Sequence, residues 1–171
     1  MKARMLMLAA LALTPIAGYA HDDTHKGMMP GTMHGAVEGG HKEGGGHAQG
    51  LGKPGDPKRV SRAIRVVMSD DMKFTPAKIE VRRGETIRFM LRNAGRIKHE
   101  MVIGPMAELK QHAELMRRMP GMEHVEPNMV TLAPGESGEL VWQFTKAGAV
   151  DFACLEPGHF EAGMIGAVSV K

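Results

Sequence analysis

Residues 139–171 read ELVWQFTKAGAVDFACLEPGHFEAGMIGAVSVK, and this stretch decides the fold. Leu140, Trp142 and Phe144 alternate with more polar neighbours, the period-two pattern of a half-buried strand. A turn at Lys146-Ala147-Gly148 follows, then Val150, Phe152 and Cys154 share one face of a second strand, and Val168 and Val170 close the chain. The same alternation extends upstream. Ile64, Val66 and Met68 form one strand face, and Ile79 and Val81 lead into a turn at Arg82-Arg83-Gly84-Glu85. Ile87, Phe89 and Leu91 then alternate with Thr86, Arg88, Met90 and Arg92. Short strands punctuated by Gly and Pro turns predict an all-β domain over 60–171, a sandwich of two antiparallel sheets with Greek-key connections. One stretch departs from this pattern. Residues 106–119 (MAELKQHAELMRRM) are helix formers between Pro105 and Pro120-Gly121, so a short helical insertion is expected there, followed by a loop to Val130.

The chemistry-bearing residues lie in the same C-terminal stretch. Cys154 ends a strand, Pro157-Gly158 turns the chain, His159 stands five residues after the cysteine and Met164 five after that. His99 begins a separate apolar strand, His99-Glu100-Met101-Val102-Ile103. Two imidazoles and a thiolate in a trigonal plane, with a weak axial thioether, are the donors of a mononuclear type 1 copper site. Singly, each residue has a plainer reading: a structural histidine, a small core cysteine, a packing methionine. Together the ordered set His…Cys-x4-His-x4-Met predicts one copper ion held by His99, Cys154, His159 and Met164.

Residues 60–171 resemble the plastocyanin/azurin (cupredoxin) superfamily. The resemblance is carried by Met72-Lys73-Phe74-Thr75-Pro76, by Val81-Arg82-Arg83-Gly84-Glu85-Thr86-Ile87, by Lys98-His99-Glu100 and by the 154–164 loop. The loop spacing is more similar to rusticyanin and auracyanin than to plastocyanin. More narrowly, the His/Met-bearing N-terminal tail, the strand at 139–144 and the insertion ending Glu126-Pro127-Asn128-Met129-Val130 resemble small periplasmic cupredoxins of copper-tolerance systems. The resemblance implies the same four copper ligands. It departs at Glu100, where electron-transfer members often carry an amide or hydroxyl, and a carboxylate beside a ligand is expected to tune the metal. A single cysteine excludes a binuclear copper-A centre, which needs two bridging cysteines. Ala153-Cys154-Leu155 lacks the flanking histidines of multicopper oxidases and copper nitrite reductases, so the chain is not expected to be one of these enzymes; oxidation of Cu(I) through the type 1 centre stays open, although no oxygen-reducing site is visible.

The N-terminus reads as a targeting segment over 1–20. Lys2 and Arg4 precede the apolar run Met5 to Leu13, and Gly18-Tyr19-Ala20 offers small residues for cleavage. That run is well short of the ~20 residues a membrane span needs, so a periplasmic protein without membrane insertion is expected. The leader holds two basic residues and no acid, which leaves twenty basic against nineteen acidic residues and no electrostatic footprint for nucleic acid. Residues 21–59 hold eleven of the 22 glycines and five of the nine histidines with few branched aliphatics, the composition of a disordered tail.

Further soft donors accompany the principal set. The tail offers His21, His25, Met28, Met29, Met33, His34, His41 and His47 as accessory copper binders. The insertion offers Met116, Met119, Met122 and His124, with Met106, His112 and Met129 nearby, although helically spaced methionines also suit simple packing. The expected function is copper handling and tolerance by a monomer that binds copper ions. The competing reading is an electron carrier docking a redox protein partner through the apolar rim at Pro157 and Phe160.

Overall fold

A computed structural model of the chain describes residues 52–122 and 124–171. Ten strands make two five-stranded sheets. In chain order they are β1 (Gly52–Pro54), β2 (Arg62–Ser69), β3 (Lys73–Thr75), β4 (Lys78–Val81), β5 (Thr86–Asn93), β6 (His99–Gly104), β7 (Met129–Leu132), β8 (Ser137–Phe144), β9 (Gly148–Ala153) and β10 (Ile165–Val170). One helix, α1 (Met106–Arg118), joins β6 to β7. The first sheet runs β1-β8-β5-β2-β3 and the second β4-β10-β9-β6-β7.

The alternating residues meet between the sheets as expected. Val66, Met68, Ile87, Phe89, Leu91, Leu140, Trp142 and Phe144 of the first sheet face Ile79, Val81, Met101, Ile103, Val150, Phe152, Val168 and Val170 of the second in one buried cluster. Edge-to-face aromatic pairs fill it, Phe74 on Phe152 at 5.0 Å and Phe89 on Phe144 at 6.3 Å between ring centroids. Strand β6 is buried along its whole length. Met101 and Ile103 point into the sandwich, while Val102 lies under α1, whose Leu109, Ala113 and Met116 also cover Ala153 and Leu155. The spacing of those three helix residues puts them on one face, so the insertion seals the outer side of the strands that bear the site.

Two features differ from the expected architecture. The sheets are mixed rather than purely antiparallel, because β2 runs parallel to β5 and β4 parallel to β10. The chain leaves the first sheet after β3 to place β4 in the second, so β5 returns beside β2 in the same direction. The folded part also begins before Val60. Gly52–Pro54 pairs with Trp142–Phe144, Gly55 N–H donates to Val141 O at 2.9 Å, and Pro57–Arg59 forms a 3-10 turn. This edge strand is held by backbone bonds, with Gly52 backed against the Trp142 indole where a Cβ would collide with the ring. The rest of the expected tail and the expected leader lie outside the described residues.

The pairing of β1 carries a testable consequence. A chain starting at Val60 exposes the β8 edge and should unfold with about 1–3 kcal/mol less stability than one starting at Gly52, the worth of a few backbone hydrogen bonds. Chemical denaturation of the two chains measures the difference; equal stabilities would make β1 an ornament of the edge.

Candidate metal centre

Three elements converge on one end of the sandwich. His99 opens β6, Cys154 follows β9, and His159 and Met164 lie in the loop that leads to β10. The loop is shaped by its own backbone: His159 N–H donates to Glu156 O, Ala162 N–H to Gly158 O and Gly163 N–H to Phe160 O. Gly158 and Gly163 have φ of 87° and 90°, a left-handed conformation that disfavours side chains, and each immediately precedes a predicted ligand. Met164 is tied on both sides, accepting from Cys154 N–H at 3.1 Å and donating to His159 O at 3.0 Å.

One nitrogen of His99, one of His159 and the Cys154 sulfur all lie within 4.8 Å of one another. Cys154 Sγ stands 3.2 Å from His159 Nδ1, and the two imidazoles are 4.9 Å apart between centroids. His99, Cys154 and Met164 have no exposure to solvent, whereas His159 is half-buried at the rim. The structure therefore gathers the three strongest sequence-predicted donors in one place and buries Met164 in the same cluster as Cys154.

Two carboxylates fix this geometry. His99 Nε2 meets Asp70 Oδ1 at 3.1 Å, while His99 Nδ1 is buried with no hydrogen-bond partner. A proton on Nε2 donated to Asp70 leaves the Nδ1 lone pair free, the arrangement by which a carboxylate orients a metal-binding imidazole. Asp70 is itself held by the Arg96 backbone N–H, at 3.0 and 2.8 Å to its two oxygens, and chiefly for that reason its carboxyl titrates below the usual range. Asn93, fully buried, donates to Ile97 O and Leu132 O and accepts from Gly95 N–H, which pins the turn ahead of His99. Sequence reasoning missed Asp70, which lies 29 positions from His99 and meets it only in the fold.

Glu100 is the second carboxylate. Its backbone N–H points at Cys154 Sγ at 3.4 Å, and its buried side chain accepts from Leu155 N–H at 2.9 Å and from Thr131 Oγ1 at 3.2 Å. It thus clasps β6 to the residue after the cysteine. Burial raises its carboxyl above the ordinary range despite those bonds.

The donors are poised for a cation. Burial lowers His159, aided by the neighbouring His99, which keeps the ring neutral and able to ligate. Burial pushes the Cys154 thiol up to about 12. A buried thiol, a partnerless buried nitrogen and a neutral imidazole make a donor set that fits copper, with the metal supplying the positive charge the thiolate lacks.

The accessory expectations divide. Met116 is buried under α1 among Leu109, Ala113 and Leu155, which is packing, and it also borders a cleft with Met122 and His124. Met119 is half-exposed at the helix end, and Met122 packs partly against the same cluster. His21, His25, Met28, Met29, Met33, His34, His41 and His47 lie outside the described residues. No helix among the described residues is long and apolar enough to cross a membrane.

Residues 62–171 match the family of copper binding proteins of the plastocyanin/azurin type. The chain is 55% identical over 143 residues to the copper-resistant cuproprotein CopI of Rubrivivax gelatinosus, covering 79% of this chain and 87% of that one. It is 34% identical over 171 residues to the copper-resistant cuproprotein CopI of Vibrio cholerae, covering 98% of each. Among solved structures it resembles auracyanin from Roseiflexus castenholzii, with a TM-score of 0.54 at 22% identity over 66% of this chain and 98% of that chain. Auracyanin B is similar in fold, with a TM-score of 0.56 at 18% identity over 72% and 96% of the two chains.

The raised thiol makes the metal-free protein pH-sensitive. The folded thiol titrates above its ordinary value of 9.0, so stabilisation by the neutral thiol is present below that pH and is lost as pH rises toward about 12. Denaturation of metal-free protein on either side of pH 9.0 should show the native cysteine chain losing stability relative to Cys154→Ala. Parallel curves for the two would mean that the thiol is solvated.

Proposed function

The chain belongs to the plastocyanin/azurin family of copper-binding proteins, and from that premise we propose that it is a periplasmic copper-tolerance protein holding one type 1 copper ion through His99, Cys154, His159 and Met164. The observation that carries the reading is His99, buried with a partnerless Nδ1, one of whose ring nitrogens lies within 4.8 Å of the Cys154 sulfur and a His159 nitrogen. The CopI relatives, described as copper-resistant, support tolerance as the purpose of the binding.

Copper bound there supplies a one-electron Cu(II)/Cu(I) couple. The chain's part is to release the Cys154 proton, to present one ring nitrogen from each imidazole and to keep the donors from moving. Asp70 holds the His99 tautomer, the Glu100 N–H lies along the sulfur, and the backbone bonds of Met164 fix its position between Cys154 and His159. Donors fixed by strands and by a hydrogen-bonded loop bind without reorganising, which favours tight retention of the metal.

A second reading has its own observation. His159 is half-buried, and Pro157 and Gly158 beside it are exposed, so one ligand edge reaches the surface, where a redox protein could dock. A carrier needs that edge; a tolerance protein does not.

Growth separates the two. A strain lacking the gene should be hypersensitive to copper, and a Cys154→Ala copy should fail to restore growth. Normal growth on copper with impaired electron flow to a terminal reductase or oxidase would instead assign the protein to electron transfer.

A further inference from the structure

We propose that His112, His124 and Glu126 form a second metal site, separate from the Cys154 centre, that takes Cu(II). His112 lies on α1, and His124 and Glu126 come from the loop between α1 and β7, so the fold rather than local sequence brings them together. One donor atom from each lies within 4.8 Å of the others. The two imidazoles are 4.7 Å apart between centroids and inclined by 35°, and His124 Nε2 is 3.8 Å from Glu126 Oε1. Donors bonded to one ion at ~2.0–2.2 Å stand roughly 3–3.5 Å apart, so only a small closing of the side chains completes the site.

The second observation is at His124. Both of its ring nitrogens are shielded from solvent and neither has a hydrogen-bond partner. Shielded polar atoms are nearly always satisfied, and a bound ion is one of the few ways to satisfy an imidazole nitrogen that faces a carboxylate and a second imidazole. Glu108 presents another shielded oxygen without a hydrogen-bond partner to the same cleft, a space of about 620 Å³. The cleft's guanidinium, Arg118, is already engaged by Glu114 at 2.8 Å, so Glu108 and Glu126 leave the cleft attractive to a cation.

The donor set chooses the metal. Two imidazoles and a carboxylate suit borderline divalent ions, and among these Cu(II) binds such donors most strongly. With no thiolate in reach, copper here would lack the intense charge-transfer absorption of the Cys154 centre and would show an ordinary Cu(II) resonance spectrum. His124 also borders the neighbouring cleft with Glu100 and Thr131, which puts the second site on the flank of the first.

The test uses the full mature chain with His21, His25, His34, His41 and His47 changed to Gln, so that tail imidazoles contribute nothing. Loaded with Cu(II) alone, this chain should give two paramagnetic signals, one accompanied by intense visible absorption and one without. Adding His112→Gln and His124→Gln should remove the second signal and its copper while the visible band persists, which reports an intact fold. Glu126→Gln, a milder change, should weaken binding at that site alone. The proposal is overturned if the second signal is absent from the parent or survives the double substitution, and its assignment to copper fails if equimolar Zn(II) displaces the ion. Loss of the visible band from the parent would instead count against the Cys154 centre and leave this test readable.

Discussion

A thiol with no exposure to water has two stable states: protonated, or ionised beside a cation. Cys154 is held in that condition, fully buried between the Glu100 N–H and the His159 ring, with its titration pushed up to about 12. Much else around the site follows from that constraint. His99 leaves Nδ1 partnerless because Asp70 has claimed the other nitrogen, and His159 is kept neutral by the same burial that suppresses the thiolate. The partnerless nitrogen is the costly group of the three, and a single cation among the donors would satisfy it and stabilise the ionised sulfur at once.

The sandwich makes this possible by covering both faces of the strands that carry the donors. Inner-face residues Met101, Ile103 and Phe152 belong to the main core, while α1 closes the outer face over Val102, Ala153 and Leu155. Without the helix, the outer faces of β6 and β9 at Val102, Ala153 and Leu155 would face water, while Cys154 itself is buried on the inner side with the main core. Glu100 ties the inner and outer sides together, since its side chain bonds Leu155 N–H and Thr131 while its backbone N–H addresses the sulfur. The carboxylate at that position is therefore a clasp between β6, β7 and the ligand loop as well as a neighbour of the metal.

Most of this was legible in the sequence, and the parts that were not share a cause. Period-two alternation located β2, β5, β8, β9 and β10 because each buries one face, and the Cys-x4-His-x4-Met spacing located the loop donors because they are local in sequence. Gly52–Pro54 carries no alternating apolar residue and joins its sheet through backbone bonds, so nothing in its composition announces a strand. The parallel pairings were equally hidden, since they depend on which sheet the chain enters after β3. Asp70 belongs to the site by tertiary proximity across 29 positions of sequence. His112 was overshadowed by the methionines around it, of which Met116 proves to be core.

The central claim is that the ion bound at the buried end of the sandwich has Cys154 sulfur and two imidazole nitrogens in its coordination shell. X-ray absorption at the copper edge, on the full chain loaded with a single equivalent of copper, tests it most directly. The account predicts one short copper–sulfur distance together with two imidazole nitrogens, and loss of that sulfur contribution in Cys154→Ser. A shell of nitrogen and oxygen alone in the unsubstituted protein would contradict it.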